Sequence, residues 1–81
     1  MSAKPFINIG AGDIIKKFMN MRNWSNLDLS KAMQLPMERI EKILTNKERM
    51  TKEIAECLSN IFGPSPEYWI NLDKNFIQNK L

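Results

Sequence analysis

The stretch from Trp24 to Arg49 constrains the fold most, because two short helical patterns in it are separated by a break. In the first pattern, Leu29, Ala32 and Met33 lie at helical spacing and form one apolar stripe. The break is Gln34-Leu35-Pro36, since proline disfavours helix at the preceding residue yet suits the first turn of a new helix. The second pattern is expected to turn four apolar side chains inward: Met37, Ile40, Ile43 and Leu44.

Ser25 marks the start of the first of these helices, because a serine oxygen can accept from an unpaired N–H of the first turn. Asp28 lies three residues later and completes a capping-box pattern. Trp24 and Leu29 lie at the two positions that form a hydrophobic staple. The local prediction is therefore a helix, a turn of about three residues, and a second helix.

The remaining sequence predicts three more helices. Asp13 suits the first turn of a helix near the N-terminus, and Thr51 suits the cap of another that Gly63 ends. Ser65 and the proline after it are expected to begin the last helix. The sequence thus predicts an all-α, five-helix domain with at most a short N-terminal strand. Residues 1–10 are expected to form an arm, and residues 11–81 the domain with a C-terminal dimerisation helix.

Composition excludes several classes of function. The chain has 81 residues, enough for one core, and its net charge of +3 suits a polyanionic partner without requiring one. It contains no histidine and a single cysteine, Cys57, so we expect no catalytic residue, metal site or cofactor, and no disulfide within the chain. No stretch is long and apolar enough to cross a membrane, and a soluble cytoplasmic protein is expected.

The second helix of the central pair offers a polar face that could contact DNA. Its exposed residues are expected to be Glu38, Arg39, Lys42 and Thr45, of which arginine and lysine can donate to guanine and glutamate can accept from cytosine. The alternative is a solvated surface on which Glu38 pairs with Lys42 at i, i+4. Lys47 and Arg49 follow in the loop and are expected to contact the DNA backbone.

The last helix carries two apolar stripes. Trp69, Leu72 and Phe76 are expected to close the core. Ile70, Ile77 and Leu81 line up about a third of a turn away, and they need a second surface to cover them. A symmetric partner is the simplest cover, so the sequence predicts a homodimer through this stripe.

Three segments resemble the HigA-type antitoxins, also called VapI-like, of the lambda-repressor-like (XRE) helix-turn-helix superfamily. They are Ala11–Ile15, the helix-turn-helix, and Phe62–Leu72, whose Phe-Gly-x-Ser-Pro-x-x-Trp-x-Asn-Leu pattern is matched at every named position. The resemblance extends over residues 9–76. It implies a repressor of its own operon that binds a palindromic operator on double-stranded DNA and inactivates a HigB-like mRNA-cleaving toxin. It also implies that Asn26 contacts a phosphate.

The chain departs from the family pattern at the turn and in the helix that follows. Gln34 replaces the usual glycine and is expected to take a left-handed conformation, at a cost of about 1–2 kcal/mol. Pro36 replaces a serine cap, and Met37 and Glu38 stand at DNA-facing positions where arginine or serine is common. Two alternatives therefore stay open: an orphan or phage regulator without a toxin, and a protein-interaction module that has lost DNA binding.

Overall fold

The computed structural model describes residues 9–79 of the chain, with side chains described for residues 9–77. This part of the chain forms five α-helices and no strand. The helices are α1 Ala11–Arg22, α2 Asn26–Met33, α3 Met37–Leu44, α4 Lys52–Phe62 and α5 Pro66–Asn79. The predicted all-α, five-helix fold is confirmed. The expected N-terminal arm lies outside the described residues except for Ile9 and Gly10.

Side-chain hydrogen bonds begin four of the helices, and in α5 the Ser65 hydroxyl accepts from the Tyr68 N–H at 3.4 Å, at the residue where the sequence predicts the start. The Ser25 hydroxyl accepts from the Asp28 N–H at 3.2 Å, and the Asp28 carboxylate accepts from the Ser25 N–H at 2.8 Å, which completes the capping box of α2. Thr51 accepts from the Ile54 N–H at 3.1 Å and caps α4. At the start of α1, the Asp13 carboxylate accepts from the Gly10 N–H at 3.0 Å. These bonds satisfy donors that the first turn of a helix cannot pair internally.

The turn between α2 and α3 contains the left-handed residue that the sequence predicts. Gln34 has φ 58° and ψ 43°. This left-handed conformation lets the Leu35 N–H donate to the Ser30 carbonyl at 3.1 Å. The Ser30 hydroxyl donates in return to the Leu35 carbonyl. The turn is therefore closed by bonds to Leu35, while the Gln34 side chain stays exposed.

Replacing Gln34 by glycine should raise the free energy of unfolding by about 0.5–1 kcal/mol, because glycine takes the left-handed conformation without strain. The gain is limited because glycine also loosens the unfolded chain. Asn23→Gly is the matched control: Asn23 has φ 58°, and asparagine tolerates this region better than glutamine. Urea titrations should show a higher midpoint for Gln34→Gly than for the control. A midpoint at or below that of the parent would contradict the strain argument.

The core lies between all five helices. Its five largest fully buried side chains are Ile15, Leu29, Ile40, Leu58 and Trp69. Two sequence predictions about it are wrong. Ala32 is exposed, because it lies about 100° around the helix from Met33, and α2 buries only Leu29 and Met33, which are one turn apart. Met37 is 37% exposed and not inward, because it is the first residue of α3, at the end of the helix.

An aromatic cluster joins α1, α4 and α5 beside this core. Phe62 stacks on Phe18 with ring centroids 5.1 Å apart and lies 5.7 Å from Trp24 and 6.4 Å from Trp69. The Arg22 guanidinium lies 4.8 Å from the centroid of the Phe62 ring, a distance that allows a cation–π contact. The cluster holds the end of α4 against α1.

Candidate nucleic-acid interface

The polar face of α3 consists of four exposed residues: Glu38, Glu41, Lys42 and Thr45. The other side of α3 is held by Ile40, Ile43 and Leu44, all of which are buried. Glu41 was not among the residues predicted for this face, although its position four residues before Thr45 indicates it. Met37, exposed at the start of the helix, adds an apolar side chain near this surface. A helix anchored on one side and polar on the other is the form needed to enter a groove.

The pairing of Glu38 with Lys42 that the sequence offered as an alternative is present. The Lys42 ammonium lies 3.9 Å from the Glu38 carboxylate, and the side chains are 54% and 82% exposed. A pair this long and this open contributes only about 0.3–0.5 kcal/mol in water. Lys42 can therefore leave Glu38 for a phosphate or a base at little cost.

Arg39 lies on the flank of α3 and not on its polar face. Its guanidinium donates through Nε to the Glu48 carboxylate at 3.4 Å and through Nη2 to the other oxygen of the same carboxylate. This hydrogen bond, together with the charge of Glu48, raises the pKa of Arg39 above its ordinary value. Arg39 is charged at all ordinary pH values, as arginines in proteins are, and both of its directed contacts go to Glu48.

Thr45 is the C-cap residue that follows α3, and its hydroxyl donates to the Glu41 carbonyl at 2.8 Å. The hydroxyl proton is therefore used inside the helix, while the lone pairs of the oxygen stay available to a donor. A thymine methyl or a base amino group is thus the kind of contact that Thr45 can make.

The three remaining predicted DNA-contacting residues differ in how they are held. Asn26 is exposed at the first residue of α2, and Lys47 is exposed just beyond α3, with its N–H donating to the Lys42 carbonyl at 2.9 Å. Arg49 instead donates to the Asp73 carboxylate of α5 at 2.9 Å, although its side chain is 66% exposed. Asn26 and Lys47 are open to a phosphate, whereas Arg49 also ties the loop to α5.

Asn46 is a structural residue of this region that the sequence prediction missed. It takes a left-handed conformation with φ 61° two residues after the end of α3. Its Oδ1 accepts from the Gly12 N–H at 2.8 Å, and its Nδ2 donates to the Asp13 carboxylate at 3.1 Å. The end of α3 is therefore fixed to the start of α1. An asparagine just past a helical pattern is a known signal of such a left-handed end.

Behind the flank of α3 lies a groove of about 430 Å³. Its lining comes from α2, the turn, α3 and α4: Met33, Leu35, Arg39, Thr51, Glu53, Ile54 and Cys57. Burial raises the pKa of the Cys57 thiol, which keeps it protonated and disfavours a nucleophilic role. Within residues 9–79, no group of three or more acidic, cysteine or histidine side chains could hold a metal ion.

The predicted dimer stripe on α5 is only partly separate from the core. Ile70 packs partly buried against the core, as does Leu72 of the first stripe. Ile77 is partly exposed, and Leu81 lies outside the described residues.

The part of the chain that the structure describes has no helix long and apolar enough to cross a membrane.

The chain matches known proteins in sequence, although no family model matches it. It is 36% identical over 61 residues to the uncharacterised helix-turn-helix transcriptional regulator YddM of Escherichia coli K12, an alignment that covers 75% of the chain and 65% of YddM. It is 29% identical over 73 residues to another uncharacterised helix-turn-helix regulator, from Haemophilus influenzae, covering 89% of the chain and 65% of that protein. The chain thus spans about two thirds of the length of these relatives.

Solved structures give the decisive likeness. An addiction module antidote protein of the HigA family from Coxiella burnetii superposes with a TM-score of 0.82 at 26% identity, over 93% of the chain and 83% of that protein. The chain has the helix-turn-helix fold of the HigA-type antitoxins. The Pseudomonas aeruginosa antitoxin HigA, solved with the higBA promoter, superposes with a TM-score of 0.83 at 20% identity, over 91% of the chain and 82% of that antitoxin. At that identity the match shows the fold alone.

The motif that most closely matches the HigA-type pattern has a structural role here. Phe62 is 8% exposed, and Trp69 is fully buried. Gly63 between them ends α4 with φ 113°, a conformation that favours glycine. The motif thus sets the corner between α4 and α5.

Proposed function

We propose that the chain is a cytoplasmic, DNA-binding transcriptional repressor of the HigA type that binds a palindromic operator as a homodimer. The observation that carries the proposal is the position of α3: it is anchored by three buried side chains and presents Glu38, Glu41, Lys42 and Thr45 outward. In helix-turn-helix proteins this second helix enters the major groove. The P. aeruginosa HigA structure, which has the same fold, contains promoter DNA. The neutralisation of a HigB-like toxin is a further part of the proposal and rests on the likeness to HigA-family proteins.

Lys42→Ala should weaken binding to the DNA upstream of the protein's own gene by about 1–3 kcal/mol per half-site and relax preference at one base position, because Lys42 is at the centre of the polar face. Lys47→Ala should weaken binding to all sequences alike, because a loop lysine contacts phosphates. Gel shifts at several salt concentrations, with scrambled DNA as control, measure both effects. Equal weak binding of the parent to both DNAs would favour the protein-interaction module.

Glu38→Ala distinguishes the two interpretations of the Glu38–Lys42 pair. If Glu38 only neutralises Lys42, its removal should tighten non-specific binding, because a lysine charge is released toward phosphates. If Glu38 accepts from a cytosine amino group, its removal should leave affinity for scrambled DNA unchanged and reduce discrimination among operator variants. The same gel shifts provide the comparison.

Ile77→Lys should convert a dimer into a monomer while leaving the helix content intact, because an unpaired ammonium would have to enter an apolar contact. Asn75→Lys is the matched control, since Asn75 is an exposed residue of the same helix. Sedimentation velocity at tens of micromolar should show a dimer for the parent and the control and a monomer for Ile77→Lys. A parent that sediments as a monomer would exclude the stripe on α5 as a dimer surface.

A toxin partner would be tested separately by co-expression with the adjacent reading frame. Co-purification of a small basic protein with the chain, and relief of its toxicity, would support the antitoxin proposal. Operator binding without such a partner would favour an orphan or phage regulator.

A further inference from the structure

Glu48 and Arg39 form the most complete ion pair near the polar face of α3. Both oxygens of the carboxylate take part, one with Nε at 3.4 Å and the other with Nη2. The side chain of Glu48 is 22% exposed, whereas that of Arg39 is 43% exposed. The same two-pronged geometry of guanidinium donors is the one that arginine uses to bind O6 and N7 of guanine, or two phosphate oxygens. Arg39 cannot make both sets of contacts at once.

Glu48 is held in place by the backbone around it. The N–H groups of Lys47 and Glu48 both donate to the Lys42 carbonyl, at 2.9 Å and 3.3 Å, so the loop folds back over the last turn of α3. Arg39 is the residue that turns toward it, along the groove that Thr51 and Glu53 also line. The carboxylate is therefore presented to Arg39 by a bonded loop and not by a chance side-chain position.

The charges around α3 make this pairing consequential. Residues 37–49 carry four basic and three acidic side chains. Each lysine or arginine that forms an ion pair within the protein therefore removes a large share of the electrostatic attraction of this segment for DNA. Arg49 is paired with Asp73, and Lys42 is only weakly paired with Glu38. Arg39 is one of two arginines in this segment, it lies on α3 itself, and its guanidinium makes two contacts with the same carboxylate.

We infer that Glu48 is an intramolecular competitor for Arg39, which holds the arginine away from DNA until a phosphate or guanine displaces the carboxylate. The inference rests on the proposed DNA-binding function and adds a specificity-determining residue to it. A DNA site that offers Arg39 two well-placed acceptors compensates for the lost contact with Glu48, whereas a poorly matched DNA site does not. Glu48 thereby lowers affinity for all DNA and lowers it most for non-specific DNA.

Glu48→Gln is the test, because glutamine keeps the size of the side chain and removes its charge. Glu53→Gln is the matched control, since Glu53 lines the same groove and forms no ion pair with Arg39 among the described residues. Affinity for scrambled duplex DNA, measured by fluorescence anisotropy, should rise about three- to tenfold for Glu48→Gln beyond any rise for Glu53→Gln. The plot of log affinity against log salt should steepen by about one phosphate contact per protomer.

Arg39→Ala shows whether the gain acts through Arg39. The gain should vanish when Arg39→Ala is added to Glu48→Gln, and the Nε–H NMR signal of Arg39 should lose its protection from exchange in Glu48→Gln alone. Equal affinities of Glu48→Gln and Glu53→Gln, or weaker binding by Glu48→Gln, would overturn the inference while leaving DNA binding by the parent intact. Failure of the parent and of every variant to bind any duplex would instead overturn the proposed function and the inference with it.

Discussion

Replacing Trp69 by alanine should lower the free energy of unfolding by about 3–5 kcal/mol, a large fraction of the stability of so small a domain. Trp69 is fully buried, and its ring lies 6.0 Å from Phe18, 6.4 Å from Phe62 and 5.3 Å from Tyr68, between ring centroids. Alanine would leave a cavity among these rings that α5 cannot close without moving off α4. The variant should therefore unfold at much lower urea concentration.

Tyr68→Ala is the control for this prediction, because Tyr68 is the neighbouring aromatic residue on α5 but is 40% exposed. Tyr68→Ala should lower the free energy of unfolding by much less than Trp69→Ala does. Trp69→Phe adds a second comparison: the buried Nε1 has no hydrogen-bond partner among the residues that the structure describes, so phenylalanine removes an unsatisfied donor as well as ring volume. Urea unfolding followed by circular dichroism measures all three. Similar midpoints for Trp69→Ala and Tyr68→Ala would show that α5 contributes little to the core.

Replacing Gly12 by alanine should also destabilise the domain, by about 2–3 kcal/mol. A Cβ atom at this position would lie 2.6 Å from the Ile43 carbonyl oxygen and 2.7 Å from the Leu44 carbonyl carbon. Both are backbone atoms, so neither can rotate away as a side chain could. The start of α1 would have to separate from the end of α3, and the bond between the Gly12 N–H and Asn46 would lengthen.

A loss of stability in Gly12→Ala would be informative, because replacing glycine by alanine inside a helix normally raises the free energy of unfolding by about 1 kcal/mol. Ala32→Gly measures the ordinary helix preference at an exposed position of α2 and should cost about that amount. Thermal unfolding of the two variants should place Gly12→Ala below Ala32→Gly. A Gly12→Ala variant as stable as the parent would mean that α1 and α3 do not meet as closely as the structure shows.

Local chemistry explains which parts of the fold could be predicted from the sequence. The capping box of Ser25 and Asp28 involves residues three apart, and the left-handed conformation of Gln34 was expected because this residue stands where the resembled family has a glycine. Such features depend on neighbours along the chain, which a sequence displays directly. The core stripes were predicted almost as well, and the two errors, Ala32 and Met37, fall where helical spacing alone cannot decide how wide or how long a buried stripe is.

The candidate site was harder to predict, because its contacts join residues far apart in sequence. Arg39 and Glu48 are nine residues apart, and Arg49 and Asp73 are 24 apart. Helical spacing predicts which side of α3 a residue occupies, but not which carboxylate a loop will bring to it. Glu38, Lys42 and Thr45 of the polar face were predictable for this reason, although Glu41 was missed and Arg39 lies on the flank. The internal partners of Arg39 and Arg49 and the link from Asn46 to Gly12 were not predictable.

The two ends of the segment after α3 have a mechanical consequence. Asn46 is bonded to α1, and Arg49 is bonded to Asp73, whose side chain is only 13% exposed in α5. A helix tethered in this way cannot swivel to follow an operator of altered pitch unless one of these tethers breaks. If two chains associate through α5, the separation of their α3 helices would be built into the protein frame. Operators with one base pair inserted between the half-sites would then be rejected by geometry, even when every base contact could still be made.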